Sequence, residues 1–240
     1  MSTIKVLYED NHIIAVQKPA GVLTQGDRTG DVNLMDMVKD YLREKYNKPG
    51  NVFLGLVHRL DKPVEGIVLF GKTSKGASRL SEQFRNHTIQ KTYHAIVVGK
   101  PKEEKGSIKE QVNKISFFAE GFTNKTDEEL LAEIKKATKT RTAELSYEVV
   151  RSGSKYSLLK ILPKTGRFHQ IRIQMQQMGC PILGDVKYSD QSRGSDYKTE
   201  WQSKNSIALA ATAITFKTAT DDKQINLEIP MPAEWKKYIE

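Results

Sequence analysis

The chain has 240 residues, and its 38% hydrophobic and 8% aromatic content supports a packed core and excludes wholesale disorder. Lys and Arg outnumber Asp and Glu by 38 to 29, which gives a formal net charge of +9 and a pI near 9.4. This charge favours a polyanionic partner, although many basic proteins bind no nucleic acid. The single cysteine, Cys180, excludes an intrachain disulfide and a cysteine-based zinc cluster.

The N-terminal sequence also bears on localisation. It has an early acidic pair and no apolar stretch typical of a signal peptide. No apolar run along the chain reaches the ~18–20 residues of a membrane helix, and a single cysteine suits a reducing compartment. We therefore expect a cytoplasmic protein without membrane association.

The N-terminal part of the chain predicts two strands followed by a helix. Apolar and polar residues alternate over residues 4–8, and residues 13–16 form a short apolar run, so both stretches predict strands. Asn33 is a typical helix-capping residue, and it precedes apolar residues at helical spacing: Leu34, Val38, Tyr41 and Leu42.

The next predicted elements flank the segment HRLDKPVE. Residues 52–57 and 66–70 are apolar runs that predict strands on either side of it, and Pro63 disfavours a helix between them. Ser74 is predicted to cap a helix that extends to about Asn86. The sequence QKTYHAIVVG, residues 90–99, alternates as a strand does.

The second half predicts a charged insertion, one helix and more strands. Residues 100–140 form the insertion: PKEEKGS predicts a charged loop, and residues 127–139 predict an exposed helix with acids first and lysines last. GRFHQIRIQMQQMG, residues 166–179, predicts a helix that ends at Gly179, and the polar residues 189–205 predict a loop. Further strands are predicted at residues 143–150, 156–162, 207–216 and 225–232.

These elements predict one α+β domain over residues 1–240, because there is no internal repeat, no linker and no regular strand–helix–strand alternation. Familiar site motifs are absent from the sequence. There is no GxGxxG or GxxxxGK[ST] for nucleotides, no HExxH or His/Cys cluster for a metal, and no GxSxG for a serine hydrolase.

Asp61 lies among cations in HRLDKPVEG, residues 58–66, and has two interpretations. In the first it forms a solvent-exposed ion pair with Arg59 or Lys62, a common arrangement that contributes little to stability. In the second, the flanking strands carry the segment to the edge of the core, where a cation keeps the carboxylate ionised and competent as a nucleophile. Local sequence alone favours the exposed ion pair.

Two other groups of residues are candidates for chemistry. Tyr93 alternates with apolar residues in its predicted strand, as a core tyrosine with a backbone partner also would. Arg167, His169 and Arg172 lie close together in GRFHQIR, as they also would on the basic face of an amphipathic helix. The sequence does not establish whether Arg172, which lies between two isoleucines, points inward.

Three blocks occur along the chain in the order HRLDKPVEGIVLFGKT, QKTYHAIVVG and KTGRFHQIRIQMQQMGCPILGD. Together with LYEDNHIIAVQKPAGVLTQ near the N-terminus, they resemble the RluA family of RNA pseudouridine synthases, from about Leu7 to the closing IPMPAEW. The resemblance implies a single α+β catalytic domain built on a long, mostly antiparallel, bent mixed sheet flanked by helices and loops. It also implies that a uridine within RNA is detached from its ribose at N1, rotated and rejoined through C5, without a cofactor or a metal.

The resemblance assigns catalytic roles to three residues. Asp61 matches the catalytic aspartate, which attacks the ribose C1′ or assists in breaking the glycosidic bond. Tyr93 matches the tyrosine that stacks on the target base and serves as a general base. Arg172 matches the basic residue that pairs with the aspartate, so we expect Arg172 to lower the pKa of Asp61.

The resemblance also implies RNA-binding residues. Arg59 matches the arginine that can occupy the space of a flipped-out base, a step needed because C1′ and C5 are inaccessible in a stacked helix. Arg167, His169 and Gln170 are expected beside the cleft, in contact with phosphates or ribose.

The sequence departs from the family pattern after the aspartate, where Val64 and Glu65 replace the usual Thr-Ser. Glu65 beside a polyanion is expected to form an ion pair. The small S4-type RNA-binding domain that precedes the catalytic domain in several relatives is not seen, so target selection is expected to depend on the surface of this domain.

The leading hypothesis is an RNA pseudouridine synthase, an isomerase acting at specific positions in structured RNA, with ribosomal RNA favoured over transfer RNA. The alternative is an RNA-binding or ribosome-assembly module on the same fold with little catalytic activity. It would be favoured by replacement of Asp61, Tyr93 or Arg172, and none is replaced. An unrelated hydrolase using Asp61 lacks a second carboxylate or histidine in a readable motif. RNA is the expected partner, with no obligatory protein partner and a monomer as the default state.

Overall fold

A computed structural model of the chain describes residues 4–27, 30–112, 141–188, 201 and 205–239. These residues form a ten-stranded mixed sheet with helices packed against it. The strands β1 to β10 are Lys5–Glu9, Ile13–Lys18, Gly55–Leu56, Glu65–Gly71, Gln90–Val98, Lys105–Val112, Arg141–Ser152, Tyr156–Pro163, Leu209–Lys217 and Gln224–Glu228. The helices α1 to α4 are Leu34–Lys45, Ser74–Arg85, Gln170–Gln177 and Lys236–Ile239, and a 3-10 turn at Ala233–Trp235 leads into α4.

The sheet is mostly antiparallel and has one parallel joint. Its strands lie in the order β1-β2-β4-β9-β5-β8-β7-β6, with β3 paired to β4 and β10 paired to β9. The parallel joint connects β4 to β9 through the pairs Glu65–Ala210 and Gly66–Ala211, whereas the other strand pairs are antiparallel. The predicted α+β fold with a mostly antiparallel mixed sheet is therefore confirmed.

The central strands β2 and β4 are buried on both faces, which explains their continuous apolar runs. Successive side chains of a strand point to opposite faces of the sheet. One face packs with α1 in a cluster that includes Ile14, Val16, Val68, Phe70, Leu34, Val38 and Leu42. The other face packs with α2 in a second cluster that includes Ile13, Ala15, Ile67, Leu69 and Leu80.

The helix starts show where local sequence is informative. Asn33 caps α1 as predicted, because its side chain accepts a hydrogen bond from the backbone N–H of Asp36. The predicted cap of α2 at Ser74 is wrong by one residue. Thr73 is the cap: its backbone is extended and its hydroxyl accepts from the N–H of Gly76. The same hydroxyl lies 2.8 Å from His12 Nδ1, a contact across 61 positions that no local pattern shows.

Several predicted boundaries differ from the structure. The strand predicted at 52–57 is reduced to Gly55–Leu56, and the helix predicted over 166–179 begins at Gln170. The charged loop PKEEKGS turns into strand β6 at Lys105, because the sheet edge tolerates charged residues and β7 supplies its hydrogen-bonding partners. The remaining strands and α2 lie where they were predicted, with bounds shifted by a few residues.

Some predictions concern residues that the structure does not describe. The helix predicted at 127–139 and most of the loop predicted at 189–205 lie outside the described residues. The extent of the domain over residues 1–240 and the 100–140 insertion stay predictions. Within the described ranges, no helix combines the length and the apolar character needed to cross a membrane.

Gly66 is required at the joint between β4 and β9. Its φ is +134°, and a Cβ atom there would lie 2.4 Å from the carbonyl oxygen of Ala211.

We predict that Gly99→Ala, at a φ of +87° with open space around it, lowers the free energy of unfolding by about 1–2 kcal/mol. Gly66→Ala should lower it by about 2 kcal/mol more, because the strain of a forbidden contact is added. Urea unfolding of both variants tests this, and equal losses would contradict it.

Candidate active site

Asp61 lies in the loop between β3 and β4, and hydrogen bonds hold the residues on either side of it. The backbone N–H of Leu60 donates to Thr24 Oγ1 at 3.1 Å, and that hydroxyl donates back to the Leu60 carbonyl at 2.8 Å. The carbonyl of Lys62 accepts from the backbone N–H of Gly21 at 2.8 Å. The segment between β2 and α1 thus holds Asp61 in place through its two neighbours.

Lys18 adds hydrogen bonds from within the core to the same segments. It is fully buried, and its Nζ donates to the carbonyls of Pro19 at 3.0 Å, Val22 at 2.6 Å and Lys62 at 3.1 Å. Burial lowers the pKa of Lys18 to about 7, with partial opposition from the negative charge of Asp61. Sequence reasoning missed this lysine, because nothing local shows that its side chain is buried.

The carboxylate of Asp61 contacts Arg172 from α3, which is anchored by a second aspartate. Arg172 Nη1 donates to Asp61 Oδ2 at 3.2 Å. Its Nε and Nη2 donate to the two carboxylate oxygens of Asp185 at 2.7 and 2.8 Å. The side chains of Asp185, Arg172 and Asp61 are 1%, 7% and 22% exposed, so Asp61 alone of the three is open to a ligand.

The structure thus forms the expected contact between Arg172 and Asp61, and it adds a partner that sequence reasoning missed. Asp185 holds the guanidinium in the bidentate geometry that is typical of strong Arg–carboxylate pairs. A signal for it was available, since Asp185 ends the block PILGD. The sequence analysis gave Asp185 no role, because its distance from α3 in space was not readable.

Arg172 lowers the pKa of Asp61 as expected, but the net shift of this pKa is upward. Burial is the largest influence and raises the pKa of Asp61, and the negative charge of Asp185 adds to it. The charge and hydrogen bond of Arg172 lower the pKa but do not offset burial. Asp61 therefore loses its proton at a higher pH than an ordinary aspartate does.

His169, which was expected beside the cleft, faces Asp61. It adopts a left-handed backbone conformation with φ of 50° directly before α3. Its Nε2 lies 3.5 Å from Asp61 Oδ2 and its Nδ1 lies 2.7 Å from the Tyr188 hydroxyl. Burial and the positive charge of Arg172 lower the pKa of His169 to about 3, so the ring is neutral at physiological pH. Phe168 stacks on this ring at 3.7 Å and is 54% exposed.

Gln170 and Arg167, both expected to contact RNA, make hydrogen bonds within the protein. Gln170 is buried, its Oε1 accepts from the Thr165 hydroxyl at 2.7 Å and from the Arg167 N–H at 3.0 Å, and its Nε2 donates to the Glu144 carbonyl at 3.1 Å. These internal bonds occupy the amide, so Gln170 shapes the loop and is not placed to bind RNA. Arg167 is half-buried, and its Nε donates to the Thr142 carbonyl at 3.1 Å.

Tyr93 is connected through one residue of β9 to the strand that follows the Asp61 loop. Ala211 pairs with Gly66 of β4 on one side and with Tyr93 of β5 on the other. Burial raises the pKa of Tyr93, and the negative charge of Asp61 raises it further. The phenol is therefore neutral while Asp61 is ionised.

The cations next to Asp61 in sequence are not its partners. Lys62 Nζ pairs with Asp31 at 2.9 Å, and both side chains are about half exposed. Arg59 is exposed, and within the described ranges it makes no side-chain hydrogen bond or ion pair. Of the two interpretations of Asp61, the structure therefore favours the partly desolvated carboxylate with a distant cation.

Val64 and Glu65, which depart from the family pattern, belong to the framework of the loop. Val64 is buried in the main cluster. Glu65 is half-buried at the start of β4, where burial raises its pKa and Glu234 raises it further. The ion pair expected of Glu65 is not formed with any described residue. No metal-binding group of three or more His, Cys, Asp or Glu side chains occurs in the described part of the chain.

We predict that Asp185→Asn lowers the pKa of Asp61, because it removes a nearby negative charge and leaves Arg172 with one carboxylate. The midpoint of Asp61 titration, followed by NMR of ¹³C-labelled aspartate, should move to lower pH. Lys62→Met is the matched control and should leave this midpoint unchanged, since Lys62 pairs with Asp31. A higher Asp61 midpoint in Asp185→Asn would contradict the assigned charge balance.

Comparisons with known proteins agree on one family. Residues 12–177 match the family model described as RNA pseudouridylate synthase. The chain is 32% identical over 235 residues to ribosomal large subunit pseudouridine synthase C of Rickettsia bellii, covering 97% of this chain and 70% of the relative. It is 31% identical over 239 residues to tRNA pseudouridine synthase C of Haemophilus ducreyi, covering 97% and 93%.

The fold has solved counterparts. A structure of human RNA pseudouridylate synthase domain containing 4 aligns with a TM-score of 0.75 at 24% identity, covering 97% of this chain and 90% of that one. A structure of human RNA pseudouridylate synthase domain containing 1 aligns with a TM-score of 0.70 at 19% identity. The matched family region, residues 12–177, includes Asp61, Tyr93 and Arg172. The chain belongs to the RNA pseudouridylate synthase family.

Proposed function

We propose that this chain converts specific uridines of structured RNA to pseudouridine with Asp61 as the catalytic carboxylate. The observation that carries the proposal is the Asp61 carboxylate itself. It is 22% exposed, is held through both chain neighbours, receives a hydrogen bond from Arg172 and acts electrostatically on Tyr93. Catalysis benefits from groups that are held in place before the substrate arrives.

The reaction needs a negatively charged group beside one carbon of the substrate, the ribose C1′. The N1–C1′ bond breaks, uracil rotates, a C5–C1′ bond forms, the proton at C5 leaves and N1 gains a proton. Positive charge develops at C1′ in the first step. Asp61 meets that charge either by forming a transient ester at C1′ or by electrostatic stabilisation, and both need the ionised carboxylate.

Arg172 and Asp185 orient the carboxylate for this step. The bidentate pair with Asp185 leaves one nitrogen of Arg172 for Asp61. His169 adds a neutral ring whose Nε2 lies 3.5 Å from the same oxygen, Asp61 Oδ2. The remaining oxygen of Asp61, Oδ1, is then available to the ribose.

Tyr93 is proposed to stack on the base and, once its phenol proton has passed to N1 of the detached base, to accept the proton from C5 as a phenolate. In the free protein its phenol is neutral, because burial and the charge of Asp61 raise its pKa. A bond between Asp61 and C1′ consumes that charge and removes one of the two influences. The pKa of Tyr93 would then fall before the proton is removed from C5. Bond formation by Asp61 would in this way prepare Tyr93 to act as a base.

Extrusion of the uridine is assigned to Arg59. Its side chain is exposed on the same loop as Asp61 and is not engaged with any described residue. A guanidinium can stack in the gap left by a flipped base. Ribosomal RNA is the substrate we propose to test first and transfer RNA second, since the Rickettsia bellii relative is named for the large ribosomal subunit and the Haemophilus ducreyi relative for tRNA.

We predict that Asp61→Asn lowers pseudouridine formation by about 10³-fold or more, because the carboxylate acts only while ionised. RNA affinity should be retained, since Asp61 is negatively charged and adds nothing to phosphate binding. Release of tritium from [5-³H]uridine-labelled RNA measures the reaction, because that hydrogen leaves C5.

Asp31→Asn is the control, as Asp31 is an exposed aspartate in contact with Lys62. It should keep its activity. An Asp61→Asn chain with most of its activity would remove Asp61 from the mechanism. A wild-type chain that binds RNA but releases no tritium would favour an RNA-binding or ribosome-assembly role instead.

A further inference from the structure

Lys91 belongs to β5, two residues before Tyr93, and its neighbours in space come from the other two motif blocks. Its Nζ is 3.7 Å from the position that a Cβ atom would take at Gly166, where the block GRFHQIR begins. Lys91 is also near His58, the first residue of HRLD. The pKa of His58 is lowered to about 3, chiefly by burial of the ring and further by the positive charge of Lys91.

Among the residues that the structure describes, none pairs with the ammonium group of Lys91. The side chain is half-buried, and it makes no hydrogen bond or ion pair with any residue in the described ranges. His58 does not serve as one, because its Nε2 accepts from the backbone N–H of Leu69 at 2.9 Å and its ring is neutral. Burial without compensation lowers the pKa of Lys91. Charges at such positions are normally paired, so the missing partner is expected to arrive from outside.

The surroundings of Lys91 favour an anion. Arg59 follows His58 directly, and Arg167 follows Gly166 directly, so each of the two loops beside Lys91 brings one further cation. The nearby carboxylates are already committed: Asp61 and Asp185 to Arg172, and Glu144 to Lys164 at 2.5 Å. Lys91 therefore lies next to two segments that each carry a further cation, Arg59 in one and Arg167 in the other.

We propose that Lys91 binds a backbone phosphate of the RNA strand that presents the target uridine. It is a positioning residue: it holds the strand while Asp61 and Tyr93 act on the ribose and the base. This inference rests on the proposed function, because it takes RNA as the ligand of the cleft. The phosphate would restore the charge balance that Lys91 lacks in the free protein.

The test is the salt dependence of RNA binding. Fluorescence anisotropy with a fluorescein-labelled RNA stem-loop, uridines in its loop, gives the affinity of Asp61→Asn chains that also carry Lys91→Gln, Lys91→Arg or Lys105→Gln. Lys105 is the control lysine, exposed and paired with Glu148 at 2.8 Å. We expect Lys91→Gln to weaken binding several-fold at low salt and to make the slope of log K against log salt shallower by about 0.7–0.9, the value for one phosphate contact. Lys91→Arg should restore the slope, and Lys105→Gln should leave it unchanged.

Two further readouts separate this role from others. Thermal unfolding of Lys91→Gln should be unchanged or shifted upward, because an unpaired cation is removed, whereas a structural lysine would lower it. In the chain with Asp61 intact, KM for RNA should rise and kcat should be kept. A lower kcat with an unchanged salt slope would place Lys91 at the base and overturn the phosphate assignment.

The two proposals fail in different ways. A wild-type chain without pseudouridine formation overturns the proposed function, while a shallower slope in Lys91→Gln would still support Lys91 as a phosphate-binding residue. An active wild-type chain whose Lys91→Gln variant keeps the full salt slope overturns the Lys91 proposal alone.

Discussion

The guanidinium of Arg172 is the group on which the site depends, because it joins two carboxylates that the chain places far apart in sequence. Asp61 and Arg172 are separated by 111 positions, and both lie at the meeting point of the β3–β4 loop and α3. Asp185 neutralises the buried guanidinium and fixes its orientation. Loss of one member would leave a buried charge uncompensated, a change that typically costs about 3–5 kcal/mol. The orientation of Asp61 and the balance of buried charge at the site therefore both depend on the Arg172 side chain.

The backbone around Asp61 is held just as firmly as its carboxylate. Thr24 and Gly21 bind the residues on either side, and Lys18 adds a buried ammonium beneath them. Gly66 then lets β4 approach Ala211, which pairs with Tyr93 on its other side. The pairings of Ala211 thus connect the strand of Tyr93 with the strand that follows Asp61. A site of this kind is organised before substrate binds, which is where most catalytic advantage from charged groups arises.

Sequence patterns predicted the elements whose signals are local. The doubly buried strands β2 and β4, the Asn33 cap and the alternation of β5 all follow from residue spacing. The direction of Arg172 did not, since a helix gives no sign of which face meets a loop 111 positions away. His169 and Gln170 were expected beside the cleft, in contact with RNA, because the family resemblance implied it. Their real partners, Asp61 and Glu144, come from other segments, and only tertiary structure shows them.

The central claim is that this fold places Asp61 to make pseudouridine in cellular RNA. The most direct measurement is chemical mapping of pseudouridine in total RNA from cells that lack the gene, complemented with the wild-type chain or with Asp61→Asn. The account predicts that one or a few uridines lose the modification, that the wild-type chain restores it, and that Asp61→Asn does not. Restoration by Asp61→Asn, or a map that does not change when the gene is removed, would contradict it.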